Sequence, residues 1–384
     1  MSYRYSEFIC KVAERHPLCL CVFETALRGF QYMTKKIVLT GGGTAGHCTP
    51  NLALLPYLKD AGYEVAYIGS INGIERKLVA DYGIPYEPIE TGKLRRYFDP
   101  KNFSDPFRVI RGYQEAHKFL KSFAPNVVFS KGGYVGVPVV HAAHRLHIPC
   151  IIHESDMTPG LANKLCMPFA EKVCCNFPET LSSLPDSKAI LTGTPIRDEL
   201  FQGDREAGLA LCGFSKERPV LMVIGGSLGA SSVNKTVRDN LDALLERFQI
   251  VHLCGKDKVD NLLLTRDGYR QFEYVTEELK DLYAMADVVL SRAGANAICE
   301  LLALKKPNLL VPLPTGRGDQ KLNAASFEAQ GYSMVVQDDD LPDVILTKLD
   351  ELYANRSTYI AAMENSSQGN SNRIILDLIK QASR

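Results

Sequence analysis

A run of apolar, β-branched residues, Ile37-Val38-Leu39-Thr40, passes straight into Gly41-Gly42-Gly43-Thr44-Ala45-Gly46-His47, and Pro50 with Asn51-Leu52-Ala53-Leu54-Leu55 follows. This order reads as strand, glycine loop and helix, and it constrains the chain more than any other feature. It aims backbone N–H groups and a helix N-terminus at one point, the geometry that binds a phosphate. The loop ends in histidine, the side chain best suited to moving a proton near neutral pH. Taken literally the loop fits the dinucleotide pattern G-x-G-x-x-G. That pattern also needs an acidic residue at the end of the second strand, to hold a ribose. Here the second strand, Glu64-Val65-Ala66-Tyr67-Ile68, ends in Gly69-Ser70, and Glu64 stands at its wrong end. The loop is therefore expected to bind a phosphate that does not belong to NAD.

The same alternation runs through the chain, which argues for parallel sheets. Strands are predicted at 36–40, 64–68, 127–130, 149–153 and 172–175. A second series is predicted at 219–224, 250–254, 272–275, 288–291, 308–311 and 333–336. Two Rossmann-like halves follow, 33–196 and 218–354. Residues 197–217 are expected as a hinge, and 355–384 as a helix packing back on the first half. Residues 1–32 precede the expected start of the first domain and read as an appendage, or else as an extra helix around 6–15. Hydrophobic content of 46% and charged content of 23% fit a globular protein, and 384 residues suffice for two cores. Lys+Arg and Asp+Glu balance at 44 each, so net charge points to no nucleic acid. The eleven cysteines, several inside apolar runs and none in C-x-x-C, read as reduced, mostly buried thiols. No apolar run is long enough to span a bilayer, and the N-terminal Leu18-Cys19-Leu20-Cys21-Val22-Phe23 is a poor signal peptide.

Each half repeats the strand-to-glycine device. The first adds Lys131-Gly132-Gly133-Tyr134, and the second has Gly225-Gly226-Ser227-Leu228-Gly229 and Arg292-Ala293-Gly294-Ala295-Asn296. Ligands bind beyond the carboxyl ends of parallel strands, so each half is expected to carry one ligand site, facing the other across a cleft. A helix opening near Ala295 can hold a diphosphate on its first free N–H groups. Glu300, two turns on, is either a ribose ligand or a solvated helical glutamate. Asp319, Gln320 and Asn323 share a face that suits either sugar hydroxyls or an ordinary helix start. His153-Glu154-Ser155-Asp156 closes a strand; His153 is a buried structural residue or part of the site. His141, His144 and His147 suggest a metal only weakly, and Asp338-Asp339-Asp340 reads as a solvated turn. Between 93 and 113, Lys93, Arg95, Arg96, Lys101, Arg108 and Arg111 interleave with Leu94, Tyr97, Phe98, Phe103, Phe107 and Ile110. That mixture suits an anionic membrane surface, or else its aromatics are core.

Taken together in this order, these motifs, with Gly193-Thr194-Pro195-Ile196-Arg197, resemble the MurG family of glycosyltransferases over about 33 to 380. The resemblance implies an α/β GT-B fold, two Rossmann-like domains with parallel sheets facing across a cleft. It implies inverting, metal-independent transfer of N-acetylglucosamine from UDP-N-acetylglucosamine to the C4 hydroxyl of the muramyl sugar of undecaprenyl-linked lipid I. It also implies a peripheral enzyme on the cytoplasmic face of the membrane, without a cofactor, working beside other cell-wall synthesis proteins. By position, Arg197, Ser227, Arg292, Ala295, Asn296 and Ala297 would hold the donor diphosphate, Glu300 the ribose, and Tyr274 with Val275 the uracil. Asp319, Gln320 and Asn323 would hold the donor sugar. Gly42, Gly43, Thr44, Ala45, Gly46, Gly132, Gly133, Tyr134 and Asn163 would take the acceptor. His47 is the first candidate base, with Glu154 and Asp156 as rivals. Two positions depart from the family pattern. Ala45 stands where glycine is usual, which narrows the backbone of the loop, and Asp156 puts a charge where an amide is common. A 2-epimerase, another glycolipid transferase and a non-catalytic UDP-sugar scaffold are the alternatives.

Overall fold

The computed structural model describes residues 34–92, 101–226, 229–315, 318–366 and 371–383, with side chains from 107 onward in the helix that begins at Lys101. The expected extension at 1–32, the cationic and aromatic residues Lys93 to Phe98, and Ser227 lie outside them, as does the side chain of Phe103.

Two fully parallel sheets form. The first contains β1 (Lys35–Thr40), β2 (Tyr63–Ser70), β3 (Tyr86–Ile89), β4 (Val127–Ser130), β5 (Cys150–Glu154), β6 (Lys172–Cys175) and β7 (Ala189–Leu191), in the order β3-β2-β1-β4-β5-β6-β7. The second contains β8 (Val220–Ile224), β9 (Gln249–Leu253), β10 (Tyr269–Phe272), β11 (Val288–Ser291), β12 (Asn308–Leu310) and β13 (Met334–Val335), in the order β10-β9-β8-β11-β12-β13. Helices cover both faces, so the central strands are apolar on both sides and almost wholly buried. In each sheet the order reverses beside the first strand, and the two strands flanking that switch point carry the glycine loops.

Register sets those loops level. Thr40 pairs with Ser130, and Ser130 with Ile152, so β1 and β4 end together while β5 runs on to Glu154. In the second sheet Ile224 and Leu310 both pair with Ser291. β3 and β7 are short edge strands; Pro88 in β3 occupies a position that only an edge tolerates. β10 ends at Phe272, so the predicted strand at 272–275 is shifted, and Tyr274 and Val275 lie on a loop.

The segment expected as a hinge carries structure of its own. The helix Arg205–Cys212 is capped by Asp204, whose side chain accepts from the N–H of Glu206 and Ala207, and it ends at left-handed Gly213. Leu200, Leu209, Cys212 and Phe214 join the core of the second domain with Leu282, Tyr283 and Met285. Apolar spacing drives this: Leu209 and Cys212 fall three apart on one face. Residues 198–217 thus belong to the second domain, and the crossing narrows to the stretch before Asp198. The last helix, Ser371–Ala382, buries Ile375, Leu376 and Ile379 in the first domain's core beside Ile37, Leu39 and Leu58. Three such side chains contribute roughly 1.5–3 kcal/mol each. Asn372 ties the two crossings together, accepting from Ile196 N at 3.1 Å and donating to Ile196 O at 2.7 Å.

Candidate active site

The first glycine loop runs from Gly41 into the helix Ala45–Ala53. Thr44 is extended and gives the helix no side-chain cap, and of the leading N–H groups His47 N donates to Thr44 O at 3.2 Å. Ala45 occupies the first helical position and is not among the residues with positive φ. The methyl expected to narrow the loop therefore sits where alanine is the best residue. Glycine is required elsewhere. At Gly133, φ is +79°, and a Cβ would stand 2.4 Å from Gly42 O and 3.0 Å from His47 Nδ1. At Gly43, φ is +87° and a Cβ would collide with the Tyr134 ring. The two loops interlock at the depth of backbone contact.

His47 Nδ1 lies 3.1 Å from Gly42 O and 3.2 Å from Thr44 Oγ1. A carbonyl only accepts, so Nδ1 carries the proton and Nε2 keeps a lone pair. Burial, and then the positive charge of Lys131, lower His47 to about 4; its hydrogen bond to Gly42 and the charge of Glu75 oppose this only in part. The imidazole is neutral at pH 7. Glu154 is held by its neighbours. Its carboxylate accepts from Asp156 N at 3.0 Å, Gly160 N at 2.9 Å and Asn163 Nδ2 at 2.8 Å, and it is buried. It braces the loop after β5. Asn163 is buried too, donates to Glu154 and to His153 O, and lies against Gly132. Asp156 stays partly exposed at the loop. His153 is wholly buried, its Nε2 2.8 Å from Gly193 O.

On the opposite wall, the helix Ala295–Ala303 opens at Gly294 without a side-chain cap, and nothing lies within 4 Å of where a Gly294 Cβ would stand. Its N-terminus faces open space. Asn296 Nδ2 donates to Gly46 O at 3.0 Å, which joins the two walls. Glu300 accepts from Tyr283 OH at 3.3 Å and stands 4.0 Å from Arg197 Nη2, while Arg197 Nη1 meets Glu199 at 3.2 Å. Burial raises the Glu300 carboxyl, and Arg197 opposes this. Tyr274 is 64% exposed beside buried Val275. Asp319 begins the helix Asp319–Ala329, and Gln320 accepts from Leu313 N at 3.0 Å.

Two donor-side expectations change. Arg292 is buried, and its guanidinium donates to Val311 O at 3.1 Å, to Ser232 Oγ at 2.7 Å and to Asp338. It braces the loops from beneath through both of its Nη atoms. Asp338, read as part of a solvated turn, is the partner of that ion pair, with its side chain 11% exposed. Asn323 is buried, with its amide on Ala293 O at 3.2 Å, so it fixes the loop that opens the nucleotide-side helix. His141 and His144 pack against the Phe169 ring, and no group of three metal-ligating side chains occurs among the described residues.

Three residues of the site escape the sequence. Glu75, wholly buried, accepts from Ser70 N at 3.0 Å, Ser70 Oγ at 2.5 Å and Gly43 N at 3.2 Å, and so shapes the first glycine loop. Lys131 lies beneath both loops, and Tyr283 supports Glu300. Only Lys131 has a signal, its adjacency to Gly132-Gly133. Outside the cleft, Phe107 and Ile110 are 75% and 56% exposed on the helix Lys101–Phe123, flanked by Arg108 and Arg111. Arg108 pairs with Glu90 and Arg111 with Glu115. The core reading fails for these two apolar side chains. No helix among the described residues is long and apolar enough to cross a membrane.

Comparison with known proteins agrees with this geometry. Residues 37–175 match the glycosyltransferase family 28 N-terminal domain, and residues 220–379 the glycosyltransferase family 28 C-terminal domain. A relative from Lachnospira eligens is 60% identical over 353 residues, covering 91% of this chain and all of its own. One from Lachnoclostridium phytofermentans is 59% identical over 350 residues, covering 90% of this chain and 99% of its own. Both are named UDP-N-acetylglucosamine–N-acetylmuramyl-(pentapeptide) pyrophosphoryl-undecaprenol N-acetylglucosamine transferase. The crystal structure of Acinetobacter baumannii MurG superposes with a TM-score of 0.72 at 26% identity, covering 90% of this chain and 99% of that one.

Proposed function

The chain belongs to glycosyltransferase family 28, and from that premise we propose how its cleft carries out the transfer. The protein moves N-acetylglucosamine from UDP-N-acetylglucosamine to the undecaprenyl-diphosphate-linked muramyl pentapeptide, lipid I, and so makes lipid II for peptidoglycan. The observation that carries the mechanism is the Asn296–Gly46 hydrogen bond, which sets the uncapped nucleotide-side helix against the first glycine loop.

The acceptor diphosphate rests on the loop Gly42, Gly43, Thr44, Ala45 and Gly46, which Glu75 shapes through Gly43 N, with Gly132, Gly133 and Tyr134 closing the cradle. His47 Nε2 takes the proton of the muramyl C4 hydroxyl. The oxygen attacks the anomeric carbon of the donor from the face opposite UDP, the bond to UDP breaks, and the anomeric configuration inverts. A base with a pKa of about 4 is weak. The negative charge of the bound diphosphates raises it toward neutrality, which makes the base effective only when the cleft is filled. The charge on leaving UDP is stabilised by the N-terminus of the helix at Ala295, Asn296 and Ala297, by Arg197 and by Ser227. Glu300, held by Tyr283, takes the ribose hydroxyls. The backbone at Tyr274 and Val275 reads the uracil, and Asp319 and Gln320 orient the sugar. Phe107, Ile110, Arg108 and Arg111, with Lys93 to Phe98 and Phe103, place the acceptor loop at the anionic inner leaflet on the cytoplasmic side, where other cell-wall synthesis proteins act on the product.

One assay tests the reading: purified protein with UDP-N-acetylglucosamine, with and without lipid I, followed by UDP release. Release only with lipid I is expected. Isomerised sugar without acceptor, or tight binding without release, overturns it.

A further inference from the structure

Lys131 leaves β4 with its side chain wholly buried. Its N–H donates to Thr40 O at 2.9 Å, and its Cβ lies 3.3 Å from where a Cβ on Gly41 would stand, so its stem is wedged beneath the first glycine loop. The second loop, Gly132-Gly133, follows it directly. The ammonium donates to His153 Nδ1 at 2.8 Å and to Ser155 Oγ at 2.5 Å. Both partners are neutral: His153 gives its Nε2 proton to Gly193 O, and burial holds the ring well below the usual histidine range. No ion pair joins Lys131 to a carboxylate among the described residues. Glu154 and Asp156 act on it only through space, and Glu154 is spent on its own loop. The other titratable groups around it are His47, Cys174 on β6 and Cys299 on the underside of the nucleotide-side helix. Burial pushes both thiols up to about 12, so neither supplies a negative charge. A buried ammonium with only neutral partners is costly to maintain and calls for an anion.

We propose that Lys131 is a positioning residue whose counter-ion is the diphosphate of a bound substrate, its charge between the two glycine loops drawing that anion in. The inference rests on the transferase reading above and deepens it. Burial lowers the ammonium to about 8, so in the empty cleft the charge fades just above neutrality, and a bound diphosphate holds the proton in place.

The test combines a variant with a measurement on the wild type. Wild-type kcat/KM should fall as pH rises through about 8, while kcat, read with the cleft filled, holds to higher pH. Lys131→Met should lose about tenfold or more in kcat/KM at pH 7 and lose this alkaline fall, and Lys131→Arg, whose guanidinium keeps its charge, should restore part of kcat/KM but not the fall. A KM rise for UDP-N-acetylglucosamine alone assigns the donor diphosphate, and one for lipid I alone the acceptor's. Independently of how the variants fold, calorimetry of UDP and inorganic pyrophosphate binding to the wild type at pH 8.5, in buffers of different ionisation enthalpy, should show proton uptake. Uptake with neither probe, or a Lys131→Met protein with unchanged kcat/KM, overturns the role of Lys131. A wild type that releases no UDP with lipid I overturns the transferase reading instead.

Discussion

Asn296 and Gly46, separated by 250 residues, meet at 3.0 Å across the cleft, so one side-chain amide connects the nucleotide-side helix to the acceptor loop. Removing it with Asn296→Ala should lower kcat/KM about fivefold, the worth of roughly one hydrogen bond. Steady-state kinetics with both substrates varied checks this, and a KM change for only one substrate would show that the contact does not couple the two walls.

Glu75 holds the first loop through Gly43 N while anchored on Ser70. Glu75→Ala strands buried donors, which costs about 1–3 kcal/mol. Tm should fall by several degrees, and KM for lipid I should rise more than KM for the donor. Calorimetric melting with kinetics separates a loosened loop from general destabilisation.

His47→Ala should lower kcat by roughly 10²–10⁴ if the imidazole takes the acceptor proton. Asp156→Ala should cost less than tenfold, and the reverse ranking would move the base to Asp156. Protonation removes the base, so kcat/KM falls as pH drops. In the free enzyme that fall should centre near pH 4, well below the 6.5 of an ordinary histidine.

His252 is buried between Tyr269 OH and Asn234 Oδ1, and burial lowers it to about 3. The unfolded chain binds its proton first, so the stability this residue contributes is present above about pH 6.5 and is lost as pH falls toward 3. The loss is on the order of a few kcal/mol. Thermal melts between pH 7 and pH 4 should show a falling Tm, and His252→Gln should flatten part of the slope.

Phe107 and Ile110 leave an apolar surface between two arginines. Replacing both by Asp should abolish sedimentation with vesicles rich in anionic lipid and leave Tm nearly unchanged, because neither side chain packs in the core. Equal sedimentation of the variant would place the membrane contact elsewhere.

The parallel architecture was legible because buried strands are continuous apolar runs punctuated by glycine, and the two glycine loops of each half mark the strand ends that face the cleft. The helix Arg205–Cys212 was not, because its partner, Leu279–Met285, lies some seventy residues on and only tertiary packing shows that they share a core. The candidate site divides in the same way. His47 and the helix start at Ala295 announce themselves by local chemistry. Glu75, Lys131 and Tyr283 owe their positions to sheet register and to burial, which no local pattern encodes. Arg292, Glu154 and Asn163 show the converse: their residue types suit a ligand, yet neighbours brought in by the fold hold the Arg292 Nη atoms, the Glu154 carboxylate and the Asn163 Nδ2.

Ile375, Leu376 and Ile379 complete a core whose first strands lie more than three hundred residues earlier. During synthesis the ribosome must therefore deliver the whole second domain before the first can close. Until then the face around Leu39 and Leu58 stays uncovered, so a chain that stops short of these last residues leaves the first domain's core open rather than losing a mere tail.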